Sequence, residues 1–369
     1  MGTHPRATVT LAQVAEAAGV SIATASRVLN GSTGRTVGAT LQERVMTVAV
    51  DLGYTANAHA QAMARGSSTI IGLIVNDIDD PYFSAIAAGV MRAAEGHGIV
   101  VLGSTRNEPD QELAYVTMLR AQRAKALVLV GSRTTDLDQT KRLATEIAAF
   151  HLAGGRVCVV SQNELDTDTV LPENRAGAHE LARALVAQGY RSFAVLGGPA
   201  TLVVAQDRVT GFAEGLRAAG LTGTGLTGTG LTGTGLTGPG LTGPGIVCEL
   251  AGDFTRDGGH AAAVRLLAQG PLPECIFAVN DVMAMGAMAA LRERGYRVPQ
   301  DVGVAGFDDI PTLRDLAPAL TTVRLPLVEM GERAGVMALE TSPGPAPRLV
   351  RIRGEVIIRE STGPRPSSA

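Results

Sequence analysis

The side chains in this sequence that could bind a small molecule occur as short polar groups, each directly after an apolar run. They are Asn76-Asp77, Ser104, Ser132, Ser161-Gln162-Asn163, Asn280-Asp281 and Asp308-Asp309. Hydroxyl, amide and carboxylate groups form hydrogen bonds with polar ligands. No Ser-His-Asp order, paired-carboxylate motif, P-loop or metal-ligand cluster accompanies them. These groups therefore predict binding rather than catalysis.

Neither the cysteines nor the glycine-rich segment predicts a cofactor or metal site. Cys158, Cys248 and Cys275 are scattered and lack metal-ligand spacing, which indicates a reduced, cytosolic setting. A Gly-Leu-Thr repeat at 220–245 contains G-x-G-x-x-G several times, but it follows the predicted helix 208–219 rather than a strand. We therefore interpret the repeat as a mobile surface insert. We expect no catalytic residue, no metal and no cofactor.

An alternation of apolar runs and helical patterns must position the polar groups. Seven runs, from "TIIGLIV" to "VGVAGFDD", alternate with helical patterns at 84–95, 111–123, 137–150, 176–188, 208–219, 258–269 and 282–294. Buried strands that alternate with helices predict an α/β fold with doubly wound parallel sheets, and the number of strands fits two sheets. Ligands in this architecture bind beyond the carboxyl ends of the strands, where the polar groups stand.

The stretch "VAEAAGVSIATASRVLNG" near the amino terminus predicts a different, all-helical unit. Thr10 can cap a first helix, Gly19 can take the left-handed turn that ends it, and Ser21 can cap a second. Two short helices joined at a glycine indicate a helix-turn-helix, which presents the start of its second helix to base edges in the major groove. Here those residues are Ser21, Ile22, Ala23 and, one turn later, Arg27. An arginine fork matches guanine O6 and N7.

Four blocks of the sequence carry a family resemblance. They are "TLAQVAEAAGVSIATASRVLNG", "ERVMTVAVDLGYTANAHAQAMARG", "IIGLIVNDIDDPYFSAIAAGV" and "FAVNDVMAMGAMAALRERGYRVPQDVGVAGFDDIPTLRDLAPALTTVRLPLVEMGERA". The chain resembles a LacI/GalR-type transcriptional repressor over nearly its whole length, apart from the repeat. The resemblance implies an N-terminal all-α helix-turn-helix headpiece followed by two doubly wound parallel-sheet subdomains of the periplasmic-binding-protein type.

The same resemblance implies domain boundaries. The headpiece is expected at 1–56, a hinge helix and linker at 57–68, an effector-binding and dimerisation core at 69–360, and a disordered tail at 361–369. Within the core, the N-subdomain is expected at about 69–173 and 326–348, and the C-subdomain at about 174–325 and 349–360, with the insert at 220–245.

The resemblance also implies a DNA-bound dimer or tetramer on a pseudo-palindromic operator. The hinge helix would enter the minor groove, where Met63 matches the apolar side chain that kinks the DNA. The expected DNA-contacting residues are Thr10, Ser21, Ile22, Ala23, Ser26, Arg27, Asn30, Asn57, Ala60 and Met63.

For the effector pocket, the resemblance points to residues that suit a sugar or related polyol. They are Tyr82, Phe83, Gln162, Arg208, Phe277, Asn280 and Asp308. Aromatic faces can stack on such a ligand, and the charged and amide groups can bind its hydroxyls. Leu202 and Val204 depart from the pattern, because many relatives carry polar contacts there. This departure fits a less polar effector, a smaller one or a displaced loop.

Charge and targeting signals limit the alternatives. A net charge of −3 excludes a basic nucleic-acid binder of the histone kind. The amino terminus lacks the apolar stretch of a signal peptide, and no apolar run is long enough to span a membrane, so we expect a cytoplasmic protein. A stand-alone sugar-binding protein is the main rival, although it would have a signal peptide and no headpiece. Whether the effector induces or corepresses stays open.

Overall fold

The computed structural model of the chain describes residues 9–30, 37–54, 68–106, 108–221, 244–340 and 346–365. The chain divides into two compact units, Met1–Thr69 and Ile70–Ala369. Within the described ranges, no helix combines the length and the apolar character that crossing a membrane requires.

Caps and a glycine turn define the helices of the first unit. These helices are α1 (Leu11–Ala17), α2 (Ile22–Asn30) and α3 (Ala39–Asp51). Thr10 caps α1 in a reciprocal capping box with Gln13, which confirms the predicted cap. Gly19 has φ +63° in the turn between the helices, and the Ser21 hydroxyl accepts a hydrogen bond from the Thr24 backbone N–H at 3.1 Å. Both of these predictions are confirmed.

A small aliphatic core holds the three helices together. Val14 on α1, Ala25 on α2 and Val45 on α3 are completely buried, and Val28 and Tyr54 pack around them. The core is small because the unit has few residues, so caps and turns contribute a large share of its stability.

Strands and helices alternate through the second unit. Its strands are β1 (Ile70–Val75), β2 (Ile99–Ser104), β3 (Ala126–Val130), β4 (Arg156–Val160), β5 (Asp168–Pro172), β6 (Ser192–Gly197), β7 (Gly245–Ala251), β8 (Cys275–Ala278), β9 (Gly303–Ala305), β10 (Thr322–Arg324), β11 (Leu349–Ile352) and β12 (Glu355–Ile357). Its helices are α4 (Pro81–Ala94), α5 (Pro109–Ala121), α6 (Leu137–Leu152), α7 (Asn174–Ala187), α8 (Val203–Ala218), α9 (Arg256–Leu267), α10 (Asp281–Glu293) and α11 (Leu327–Leu339).

Two parallel sheets organise these elements, as the apolar runs predict. In the described part of the chain, one sheet has six strands in the order β11-β5-β4-β3-β1-β2, and the other has four in the order β7-β6-β8-β9. Strands β10 and β12 form a short antiparallel pair. The strand order reverses between β1 and β3 and again between β6 and β8, and such switch points are where open α/β sheets bind ligands.

Each sheet and its helices form one subdomain: the first contains the six-stranded sheet and the second contains the four-stranded sheet. The chain passes between the two subdomains at three places within the described ranges. These passages follow β5, β10 and β11, because α7 packs on α8 of the second subdomain, α11 packs on α4 of the first, and β12 pairs with β10. Residues 349–352 were expected in the C-subdomain, but β11 pairs in parallel with β5 and so belongs to the first sheet. This pairing satisfies the backbone groups of a strand that would otherwise form an open edge.

The end of the chain is ordered further than the sequence analysis expected. Ser361 and Thr362 are completely buried, and the Ser361 hydroxyl donates to the Val304 carbonyl oxygen at 2.6 Å. The guanidinium of Arg365 lies 5.5 Å from the centre of the Tyr190 ring. The expectation of a disordered tail starting at residue 361 is therefore wrong. Residues 222–243 of the repeat lie outside the described residues, and Gly245, the last residue expected in the insert, is the first residue of β7.

Close helix packing fixes the first subdomain. Helices α4 and α11 approach through Gly89 and Gly331, where an added Cβ would lie 2.0 Å from the backbone oxygens of Val328 and Ile86, respectively. Only glycine permits an approach of this kind, because the neighbouring atoms belong to rigid helix backbone.

Candidate ligand cavity and nucleic-acid interface

The amino-terminal end of α2 presents a small exposed surface. Ser21, Ile22 and Ala23 are exposed, and Ile22 is 55% exposed although it is apolar. The opposite face of α2 buries Ala25 in the core of the unit. In a helix-turn-helix, the exposed residues at this position face the edges of bases in the major groove.

The other predicted DNA-contacting residues have mixed placements. The Thr10 side chain is engaged in the cap of α1, Ser26 and Arg27 are half-buried on α2, and Asn30 is the last residue of α2. The hinge residues Asn57, Ala60 and Met63 lie outside the described residues.

A cavity lies between the carboxyl ends of the two sheets of the second unit. It is lined by Asn76, Asp77, Asp80, Tyr82, Phe83, Gly131, Ser132, Val160, Ser161, Gln162, Pro172, Asn174, Leu202, Val204, Arg208, Phe254, Asn280 and Asp308. The structure brings together six of the seven residues that the sequence analysis assigned to an effector. They are Tyr82, Phe83, Gln162, Arg208, Asn280 and Asp308.

A buried ion pair forms the polar centre of the cavity. Nη2 and Nη1 of Arg208 donate to the two carboxylate oxygens of Asp308 at 2.7 and 3.2 Å. Nε donates to Asn174 Oδ1 at 2.9 Å, Nη1 donates to the Val279 carbonyl oxygen at 2.7 Å, and the guanidinium lies 4.0 Å from the centre of the Phe307 ring. Burial raises the pKa of the Asp308 carboxyl, and Arg208 opposes that shift. The contacts with Asn174 of α7, with the Val279 carbonyl oxygen after β8 and with the Phe307 ring after β9 therefore hold the pair in one geometry.

Two amides add hydrogen-bond donors to this centre. The Asn280 Oδ1 accepts from the Met283 N–H at 3.0 Å, so Asn280 caps α10 and its Nδ2 remains for a ligand. Gln162 Oε1 accepts from the Arg133 N–H at 2.9 Å, so the Gln162 Nε2 also remains for a ligand. Among the described residues, neither amide nitrogen has a hydrogen-bond acceptor in the protein.

Aromatic and aliphatic side chains form the remaining wall. Tyr82 and Phe83 pack edge to face with ring centres 5.0 Å apart, and Phe254, Leu202 and Val204 also line the cavity. The polar positions expected from relatives are thus replaced by a partly apolar surface.

Phe277 does not line the cavity. It is completely buried in the core of the second subdomain, where its ring stacks on Phe212 with ring centres 4.4 Å apart and planes 16° apart. The side chain points this way because Phe277 lies within β8, and successive residues of a strand face opposite sides of the sheet. The assignment of Phe277 to an effector is therefore corrected to a packing role.

Asp80 is an acidic group of the cavity that the sequence analysis did not select. It caps α4, because Oδ1 accepts from the Tyr82 N–H at 2.9 Å, and Pro81 stands at the first helical position. Burial raises the pKa of the Asp80 carboxyl to about 7, the carboxylates of Asp308 and Asp77 add to the increase, and the Tyr82 N–H opposes it.

Asp281 does not line the cavity, although it directly follows Asn280. Asn280 caps α10, and Asp281 is the first residue inside the helix. The completely buried Asp281 accepts from the Ile310 N–H at 3.0 Å and from the Thr322 hydroxyl at 2.7 Å. It therefore ties α10 to two neighbouring segments of the second subdomain.

A short backbone pairing joins the two subdomains beside the cavity. The Val203 N–H donates to the Arg133 carbonyl oxygen at 3.0 Å, and the Thr135 N–H donates to the Thr201 carbonyl oxygen at 2.9 Å. The Val204 N–H also donates to the Ser132 hydroxyl at 3.0 Å. We call residues 132–135 and 201–204 the clasp. The clasp holds the cleft closed and places Leu202 and Val204 against the cavity.

Sequence reasoning missed several lining residues for identifiable reasons. Phe254 follows β7, and that strand was not predicted because it comes directly after the repeat. Asn174 follows β5, which is short and contains an aspartate and a proline, so it does not have the pattern of a buried strand. The dipeptide Asp80-Pro81 indicates the start of a helix, so it could have predicted that Asp80 lies at the carboxyl edge of the first sheet.

Family models match both units of the chain. Residues 10–57 match the model for bacterial regulatory proteins of the lacI family. Residues 68–226 match the model for periplasmic binding proteins and the sugar binding domain of the LacI family, and residues 182–362 match a periplasmic binding protein-like domain.

Whole-chain relatives agree with these matches. The chain is 32% identical over 337 residues to the HTH-type transcriptional regulator GalS of Salmonella typhimurium, which covers 91% of each chain. It is 29% identical over 361 residues to the HTH-type transcriptional regulator DegA of Bacillus subtilis, which covers 96% of this chain and 98% of DegA.

Solved structures share the fold over the same length. One is the lac repressor dimer bound to operator and the anti-inducer ONPF, with a TM-score of 0.75, 25% identity, and coverage of 97% of this chain and 100% of that one. Another is the complex of the transcriptional regulator CelR with cellobiose, with a TM-score of 0.65, 27% identity, and coverage of 96% and 99%. The predicted fold class and family are confirmed: this chain belongs to the LacI family of bacterial DNA-binding transcriptional regulators.

Proposed function

We propose that this protein represses transcription by binding a pseudo-palindromic operator as a homodimer or tetramer, and that a small molecule in the cavity sets its operator affinity. The observation that carries the proposal is that one chain holds both a helix-turn-helix with an exposed recognition surface and a cavity built around the Arg208–Asp308 pair.

The DNA contacts follow from the headpiece. Ser21 at the start of α2 can hold a phosphate, Ile22 and Ala23 can contact a thymine methyl, and Arg27 can pair with guanine. A dimer places two such helices on half-sites one helical turn or a multiple apart. We propose that residues 57–68 form the hinge and that Met63 enters the minor groove at the centre of the operator.

The cavity suits a ligand with hydroxyl groups and one apolar face. The amide nitrogens of Asn280 and Gln162 can donate to ligand oxygens, while Phe254 and Phe83 offer rings for stacking. The lac repressor and CelR structures hold an anti-inducer and cellobiose, respectively. A sugar or related polyol is therefore the proposed effector class.

The two activities are coupled when the ligand binds one arrangement of the subdomains better than another. A ligand that bridges Arg208 and Asn280 of the second subdomain with Gln162 of the first changes the relative stability of open and closed clefts. Operator affinity then changes by the same factor by which the operator changes ligand affinity.

We propose that the protein works in the cytoplasm and by binding rather than catalysis. In the cavity, the buried Asp308 is committed to its ion pair with Arg208. The relatives described above are regulators.

The test is a fluorescence anisotropy titration of a selected operator duplex at fixed salt, with and without each ligand of a sugar panel. We expect one ligand to change operator affinity about fivefold or more, in the range of ordinary allosteric coupling. Ligand binding by a chain that binds no operator would instead identify a stand-alone binding protein.

A further inference from the structure

The carboxylates in the cavity outnumber the cations. Asp77, Asp80 and Asp308 all line it, and among the described residues Arg208 is the cationic side chain that does so. The Arg208 charge is already used, because it holds Asp308 through two hydrogen bonds with both side chains nearly completely buried. Two carboxylates thus face the ligand space without a neutralising partner in its lining.

Asp80 is the better placed of these two carboxylates. Its Oδ1 accepts from the Tyr82 N–H, and within the described ranges no protein donor reaches Oδ2. The Asp77 Oδ1 accepts from the backbone N–H of the exposed Asp79 at 3.0 Å. A ligand that carries a hydrogen-bonding cation can therefore reach a free oxygen of Asp80.

Two nearly buried amides point independently to a ligand. Asn280 and Gln162 are 4% and 8% exposed, both line the cavity, and the Nδ2 and Nε2 atoms have no acceptor among the described residues. Because both residues line the cavity and their amide nitrogens have no protein acceptor, these nitrogens can donate to oxygen atoms of a ligand. The ligand body therefore carries oxygen acceptors, as a polyol does.

We propose that the effector carries a positive charge on a polyol body, as in an amino sugar or an amino polyol, and that Asp80 binds the positively charged group. The inference rests on the proposed function, since it assumes that the cavity is the effector site. An ammonium group donates three hydrogen bonds and neutralises one of the two excess carboxylates, whereas a sugar phosphate or a sugar acid would add a further negative charge.

The environment of Asp80 supports this assignment. The titratable and charged groups that face it are Asp77, Asp308, Arg208 and Tyr82. Burial raises the pKa of Asp80 to about 7, and burial also raises the pKa of the Tyr82 phenol, which stays protonated. A bound ammonium would reverse the shift at Asp80, because an opposite charge favours the ionised carboxylate.

The test is calorimetry at pH 7 on the full-length protein, with matched sets of one sugar or polyol that bears an amine, a hydroxyl or a phosphate at the same position. Glucosamine, glucose and glucose 2-phosphate form the set at carbon 2, and 6-amino-6-deoxyglucose, glucose and glucose 6-phosphate form the set at carbon 6. The corresponding derivatives of other hexoses and of alditols form further sets. The variant is Asp80→Asn, because asparagine retains the helix cap. The matched control is Asp79→Asn, which removes an exposed carboxylate next to the cavity.

We expect at least one amine to bind about tenfold or more tightly than its hydroxyl partner, with the phosphate weakest. Asp80→Asn should bring the amine-to-hydroxyl ratio close to one, and Asp79→Asn should leave it unchanged. Three results would overturn the proposal: no amine binds, a neutral or anionic partner binds as tightly as its amine, or Asp80→Asn retains the ratio.

A second measurement needs no ligand. Because the pKa of Asp80 is higher in the folded protein than its ordinary value, its contribution to stability is present at low pH and is lost as the pH rises through about 7. The parent and Asp79→Asn should therefore lose more thermal stability between pH 5 and pH 8 than Asp80→Asn does. Equal losses in all three proteins would contradict the burial of the Asp80 carboxyl in the cavity, on which the proposal depends.

The outcomes separate this proposal from the proposed function. Operator affinity is measured in parallel with the same ligands. A neutral sugar that binds and shifts operator affinity would retain the proposed function and overturn the charge selectivity. An amine that binds at Asp80 without any effect on operator affinity would support the charge selectivity and overturn the regulatory role of the cavity.

Discussion

Replacing Asp308 by asparagine should destabilise the second unit strongly, because it leaves the buried Arg208 charge without its partner. Both side chains are nearly completely buried, and the two charged hydrogen bonds between them are 2.7 and 3.2 Å long. Asp308 has φ +115°, and asparagine is among the few residues that tolerate positive φ, so the substitution adds little backbone strain. The change therefore isolates the charge.

The expected cost is about 3 kcal/mol. Breaking a buried ion pair on one side costs roughly 3–5 kcal/mol, and the lower end applies here because Arg208 keeps its bonds to Asn174 and Val279. The matched control is Asp301→Asn, which breaks an exposed pair with Arg297. That change should cost much less than Asp308→Asn, because an exposed ion pair is screened by solvent.

Urea denaturation of the full-length protein, followed by far-UV circular dichroism, gives both free energies of unfolding. Adding Arg208→Met to Asp308→Asn should recover part of the loss, because the uncompensated charge is then gone. If Asp308→Asn costs no more than Asp301→Asn, the buried pair does not organise the cavity as argued here.

Three other changes test separate parts of the structure. Val203→Pro removes the N–H that donates to the Arg133 carbonyl oxygen across the clasp, and proline is tolerated there because Val203 is the first residue of α8. Small-angle scattering should then detect a more open cleft, and ligand release should be about threefold to tenfold faster. An unchanged release rate would show that the clasp does not hold the cleft. Gly331→Ala should cost about 1–3 kcal/mol by thermal melting, since its Cβ meets the Ile86 backbone oxygen, and a melting temperature equal to that of the parent would refute the close approach. Thr10→Ala should lower headpiece stability by about 1 kcal/mol, measured by amide hydrogen exchange in α1; unaltered exchange would rule out the cap.

The parts of the fold that repeat a simple pattern could be predicted from the sequence. Buried parallel strands such as β1 and β3 read as continuous apolar runs, and helix caps such as Thr10 and Ser21 follow from side-chain chemistry. Strands β5 and β11 could not be predicted in the same way, because they are short and contain polar residues, Asp168 and Thr169 in β5 and Arg351 in β11. Tertiary pairing rather than local pattern makes them strands.

The cavity could be predicted only in part. Arg208, Asn280 and Asp308 stand out as polar residues at strand ends or helix starts, and the structure places all three together. The family resemblance assigned Phe277 to the cavity, but the direction of a strand side chain depends on its position along the strand, and Phe277 faces the core. Phe254 could not be predicted because the strand before it, β7, directly follows the glycine-rich repeat and was not recognised in the sequence.

The most direct test of the account is the selection of bound duplexes from a random pool by the full-length protein and by Arg27→Ala, each followed by an affinity titration at fixed salt. For the parent protein we expect a palindromic duplex with a pyrimidine–purine step at its centre. We expect Arg27→Ala to lose discrimination at one guanine of each half-site, by roughly 1–3 kcal/mol. Failure of the parent to enrich any sequence, or an unchanged preference in Arg27→Ala, would contradict operator recognition by α2.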